Sequence, residues 1–213
     1  AIGITGNLDL DANIVGAASL AVSGTSNLGA NVTTTGNQTY TGAVILSTNV
    51  SLSGGNQLLF GGTVNSSDTD STSDARTLTT TFTETEFDGI VGGTYALGAI
   101  DITGNLDLDA AISGAASMDV SGTANLGADV TTSGNQTYSG AVILSTNVSL
   151  SGGNQLLFGG TVNSSDTDST SDARTLTTTF TETEFDGIVG GTYALGAIGI
   201  TGNLDLDANI VGA

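Results

Sequence analysis

Carboxylates are the main chemical resource of this chain. It has no His and no Cys, and two basic residues against 21 acidic ones. In SSDTDSTSDA, Asp68, Asp70 and Asp74 stand at i, i+2 and i+6, and Asp166, Asp168 and Asp172 repeat that spacing. Closely spaced carboxylates are the ligands a hard cation such as Ca²⁺ takes. An EF-hand register starting at Asp68 fails, because Ser73 stands where Gly is required and Thr79 where a bidentate Glu is. The glycine-rich nonapeptide of calcium-binding β-rolls is missing too. Two readings stand for these six residues: oxygen ligands to Ca²⁺, or a solvated polar loop. No other metal or cofactor is expected.

A second pattern pairs Asp9 with Asp11, Asp107 with Asp109 and Asp205 with Asp207. Two residues apart on a strand, each pair faces the same way. The pairs, with Glu84, Glu86 and Asp88, read as a solubilising stripe or as weak cation bridges between neighbouring fibres. Paired carboxylates can hydrolyse a glycosidic bond when one has a raised pKa and the spacing suits. Here every candidate recurs at the same place in each copy, with no His or Lys beside it, so no enzyme is expected. Arg76 and Arg174 read as partners of a nearby carboxylate such as Asp74. Thr33–Thr35 and Thr79–Thr81 raise an ice-binding ladder, but Thr does not recur at the spacing a flat array needs. Tyr40, Tyr95, Phe60, Phe82 and Phe87 read as core fillers or corner plugs. Asn31, Asn37 and Asn49 each open an N-x-S/T sequence.

The elements that must position these residues are short strands. Ser23–Val64 alternates apolar with small polar residues, the period of a strand, and Gly and Asn punctuate it. It returns at Ser121–Val162 almost unchanged. The repeat is 98 residues: 1–98, 99–196, and the start of a third at 197–213, in one continuous solenoid. The expected fold is all-β, a right-handed parallel β-helix of about five coils of roughly 20 residues per repeat. At about 4.8 Å per coil a repeat is about 24 Å long. The absence of Pro suits strands paired on both edges. Gly29, Gly36, Gly42, Gly54, Gly55, Gly61 and Gly62 are expected at corners that need positive φ, with Asn beside them bonding its own turn.

The two full copies differ at nine positions. If Ile2, Ile4, Leu8, Leu10, Ala12, Ile14, Leu20 and Val22 point inward, the changes of polarity or charge at Gly3/Asp101, Asn13/Ala111, Val15/Ser113, Ala21/Asp119 and Asn31/Asp129 fall outside. The change at a large inward position, Leu20/Met118, nearly conserves volume.

A net charge of −19 excludes nucleic acid and anionic membranes as direct partners. No apolar run is long enough for a spanning helix, so no direct membrane insertion is expected. The chain opens at Ala1 and stops in mid-pattern, which reads as a window on something longer. Asn27–Val64, followed by FDGIVGGTYALGAI (Phe87–Ile100), resembles the tandem repeats of giant bacterial surface exoproteins, the filamentous-haemagglutinin-like proteins and large repetitive adhesins. That resemblance implies a right-handed parallel β-helix, secretion to the cell surface, and no motif-bound active site. The leading expectation is the structural shaft of a long extracellular bacterial fibre or surface adhesin. Its partner would be itself, through coil stacking and lateral or end-to-end contacts, with any receptor unknown. The alternatives are a multivalent binding surface for Ca²⁺, glycan or ice, and a subunit of a self-assembling filament.

Overall fold

The computed structural model describes residues 1–67, 74–165 and 172–213. These form 23 strands and no helix. All the strand pairings are parallel, as in a parallel β-helix. From Ile2 to Val50 a strand starts every six residues, so three strands and three corners make a coil of 18. Each strand is short because the next Gly-, Ser- or Asn-bearing corner arrives within three or four residues.

The strands stack on three faces. The first face carries Ile4, Val22, Tyr40, Phe60, Phe87, Leu108, Leu126 and Leu144 on successive rungs. The second carries Leu10, Leu28, Leu46, Ser66, Val91, Ile112, Val130, Leu150 and Thr178. The third carries Ile14, Val32, Leu52, Thr80, Ile102, Val120, Tyr138, Phe158, Phe185 and Leu206.

These registers refine the expected coil count. Leu106–Leu108 corresponds in the repeat to Leu8–Leu10, a second-face strand, yet it stacks on the first face against Thr85–Phe87. Ile102 corresponds to Ile4, yet it lies on the third face. Five turns starting at Ile2 end at Leu106, which is 104 residues on, against a repeat of 98. The six-residue excess is one strand and one corner. A repeat therefore holds fourteen wall positions shared among three faces, or four and two-thirds turns. Each repeat rises about 22 Å and starts one face behind the last, and after about 67 Å the original face returns.

The core follows the expected parity. In the second copy Ile100, Ile102, Leu106, Leu108 and Ile112 are buried, while Gly3, Asn13, Val15, Ala21 and Asn31 are exposed in the first. Ala12 departs from the pattern: it sits in a corner and is exposed. Tyr40, Phe60 and Phe87 stack with ring centroids 5.5 and 5.2 Å apart, and Tyr138, Phe158 and Phe185 repeat the stack at 5.6 and 5.0 Å. Most buried polar side chains are paired, as a low-dielectric interior demands, and the Ser26 hydroxyl is an exception. The Gln38 amide donates to the Val32 and Ser53 carbonyls, and its Oε1 accepts the Tyr40 hydroxyl. Burial pushes the Tyr40 and Tyr138 hydroxyls well above the usual phenol range.

The corner glycines have a different reason from the one expected. None of the seven named above has positive φ; the left-handed glycines are Gly16, Gly92, Gly104, Gly190 and Gly202. Gly24, Gly42, Gly62 and Gly89 instead stack on Gly6, Gly24, Gly42 and Gly62 in turn, and a Cβ on any of them would strike the backbone of the glycine beneath. The corner Asn residues also act between rungs. Oδ1 of Asn7, Asn31, Asn37 and Asn49 accepts the backbone N–H of Thr25, Ser51, Gln57 and Thr77, each on the following rung. Only an acceptor is needed there, and Asp129 replaces Asn31 with the same bond to Ser149 N–H at 2.7 Å.

Candidate functional site

Of the six residues read as Ca²⁺ candidates, Asp68, Asp70, Asp166 and Asp168 lie outside the described residues. Asp74 and Asp172 lie inside, at the end of the polar run. Oδ2 of Asp74 accepts the Ser67 hydroxyl at 2.6 Å and pairs with Nη2 of Arg76 at 3.1 Å; its N–H donates to the Ser67 carbonyl at 3.1 Å. Asp172 repeats this with Ser165 and Arg174. This carboxylate thus ties the two ends of the polar run together, and its ion pair is the one expected for Arg76. Both members are partly exposed, so the pair is worth at most about 1 kcal/mol.

The structure assembles another group of carboxylates, and the one-face slip makes it. Glu86 stacks directly on Asp107 because the end of one repeat and the second strand of the next share the first face. Asp88 and Asp109 follow at the same corner. Carboxylate oxygens of Glu86, Asp88 and Asp109 all lie within 4.8 Å of one another, and those of Glu184, Asp186 and Asp207 repeat the arrangement. A hard cation could take three oxygen ligands from such a group. Partial burial, then the charges of Asp88 and Asp107, push the Glu86 carboxyl above its usual range. Partial burial, then Asp107 and Asp88, does the same to Asp109. Glu184 is raised in the same way, with Asp186 and Asp205 as its neighbours. Two neutral amides offset part of this repulsion: Gln57 Nε2 donates to Glu86 at 2.5 Å and Asn125 Nδ2 to Asp107 at 2.8 Å.

The acidic seam opens onto a groove. Asp107, Asn125, Ile143 and Asn163 point outward from four successive rungs of the first face. Tyr193, carried by the corner that follows Val189, forms one wall. Its N–H donates to Asn163 Oδ1 at 3.3 Å and its carbonyl accepts Ser164 N–H at 3.2 Å, which fixes the wall to the floor. The cavity is about 730 Å³ and runs from Glu84 to Tyr193. Its counterpart in the first copy, about 750 Å³, lies on the second face between Asn27 and Tyr95. Tyr95 is therefore a groove wall, while Tyr40, Phe60, Phe82 and Phe87 are core as expected.

Sequence reasoning named the members of the seam but placed them on one aligned stripe. It missed their meeting because it assigned a whole number of coils to each repeat. The registers place fourteen wall positions in a repeat, and fourteen is not a multiple of three. No protein-family model, curated protein or solved structure matches this chain.

Proposed function

We propose that this chain is a segment of the structural shaft of a long extracellular bacterial fibre or surface adhesin, in which repeat number sets reach. The observation that carries this reading is the joint between repeats. Leu78–Phe87 pairs with Leu97–Leu108 over eight residue pairs, and Leu97–Leu108 pairs onward with the following strands, so the ladder and core cross from repeat to repeat without a linker. A continuous ladder resists bending, whereas jointed domains would hinge. The reading assigns no catalytic step to the chain, and its direct partner is more of itself, coil on coil.

Electron microscopy of arrays of two, four and six repeats tests it. A shaft lengthens by about 22 Å per added repeat and stays straight. Beads on a string, or a length that stops growing with repeat number, would rule the shaft out. Protease treatment of intact source cells tests the location: an extracellular shaft is cut while cytoplasmic proteins survive.

A further inference from the structure

We propose that the groove between Glu84 and Tyr193 is a docking site for an extended lysine-bearing segment of a partner protein, which lies along the fibre axis across the strands. The argument begins with shape. A cavity of about 730 Å³ is of the size that binding sites use, and its floor from Asp107 to Asn163 spans three rung steps, about 14 Å. That accommodates about four extended residues.

Its chemistry is graded along that length. One end holds Glu84 and Asp107, backed by the rest of the acidic seam. The other holds Ile143, 38% exposed, beside Tyr193. The matching Ile45 of the first copy is 47% exposed in the same position of its own groove. An exposed isoleucine between two asparagines on an otherwise polar track suits the aliphatic stem of a lysine, whose ammonium then reaches the carboxylates. The two arginines of the chain are paired with Asp74 and Asp172, so charge complementarity points to another protein. A second copy of this chain has no lysine to offer.

Glu84 comes from one repeat and Asp107, Ile143 and Tyr193 from the next, so the acidic end of the groove is completed at the joint between repeats. Because each repeat starts one face behind the last, successive grooves face three directions around the fibre. A shaft built this way can be approached from any side.

The test is binding of a fluorescent heptapeptide of alternating Lys and Ala to the full chain at physiological salt, read by anisotropy. Asp107→Asn is expected to weaken binding about fivefold, one exposed ion pair's worth. Asp119→Asn, the same charge change on the third face, is expected to leave binding unchanged. Ile143→Asp is the deciding variant: it adds a negative charge but removes the apolar floor. The groove predicts weaker binding, and general attraction to a polyanion predicts tighter binding. Tighter binding by that variant, or equal losses at Asp107 and Asp119, would overturn the proposal. So would an uncharged hexasaccharide that binds with Ile143 dependence while the peptide does not bind. Circular dichroism of each variant separates loss of the groove from loss of the fold.

Discussion

Phe87 and Glu86 are neighbours in sequence and opposites in consequence. Phe87 points inward and stacks against Phe60, 5.2 Å between centroids, while Glu86 points outward and stacks against Asp107. A solenoid places like on like wherever its repeat is internally similar. Inside, that brings ring onto ring and leucine onto leucine, and each buried side chain contributes roughly 1.5–3 kcal/mol. Outside, the same register brings carboxylate onto carboxylate. The register is fixed by the interior, because a shift of one residue would turn every core side chain to water. The acidic seam follows from core packing: amides such as Gln57 and Asn125 soften its repulsion without removing it.

The comparison breaks most severely from the inside. Phe60→Ala leaves a hole in the middle of a three-ring stack where Phe60 is fully buried. The expected loss is about 3–5 kcal/mol, measured by urea unfolding. Since rungs contact mainly their neighbours, the melt should also split into two transitions, one on each side of the hole. Gly42→Ala comes next. Its methyl group meets the Gly24 backbone on the rung below, and overpacking of this kind costs about 1–3 kcal/mol. Gly3→Ala is its control: a Cβ there meets nothing within 4 Å, and the second copy already carries Asp101. Equal losses at the two glycines would mean that stacking at the corner is not what requires Gly42.

The same contrast between inside and outside governs what could be read from the sequence. Strand periodicity made the wall, the parity of Gly3, Ala21 and Asn31, and the core role of Phe60 legible, because alternation is a local property. The seam was not legible, because it depends on how many wall positions a repeat contains. That number was hidden where Leu78–Phe87 and Leu97–Leu108 each serve two faces in one unbroken strand. The reason for the corner glycines was hidden for a related cause. Positive φ is a property of one residue, whereas the collision that excludes a side chain at Gly42 comes from a residue 18 positions earlier. The paired use of Asn31 and Asp129 as acceptors is likewise a contact between rungs.

A smaller effect sharpens the comparison between copies. Ser26 is buried and its hydroxyl has no hydrogen-bond partner, while the second copy has Ala124 at that place. An unpaired buried hydroxyl carries a desolvation cost, so Ser26→Ala is expected to stabilise the fold by about 1 kcal/mol. Ala124→Ser should cost a similar amount. Thermal unfolding of the two single variants and the double variant checks both signs, and a destabilised Ser26→Ala would show that the hydroxyl finds a partner in solution.

The seam gives the smallest effect and the one with the least familiar sign. Glu86, Asp109 and Glu184 hold their protons more tightly folded than unfolded, through partial burial and then the charges stacked beside them. In the pH window between the ordinary carboxylate range and these raised values, the native state binds more protons than the unfolded state. Stability then falls as pH rises through that window, and the contribution is recovered as pH is lowered toward the unfolded pKa. Salt-bridged carboxylates give the opposite slope. Asp109→Asn removes one of the three titrations without touching the core, so it should flatten the slope and raise stability at pH 7. Added salt should imitate it in the wild type, because exposed charges are screened over about 8 Å at physiological ionic strength. Urea midpoints measured from pH 4 to pH 8, for the wild type and Asp109→Asn, provide the test. If the two curves run parallel, stacking of the carboxylates is not what sets the slope.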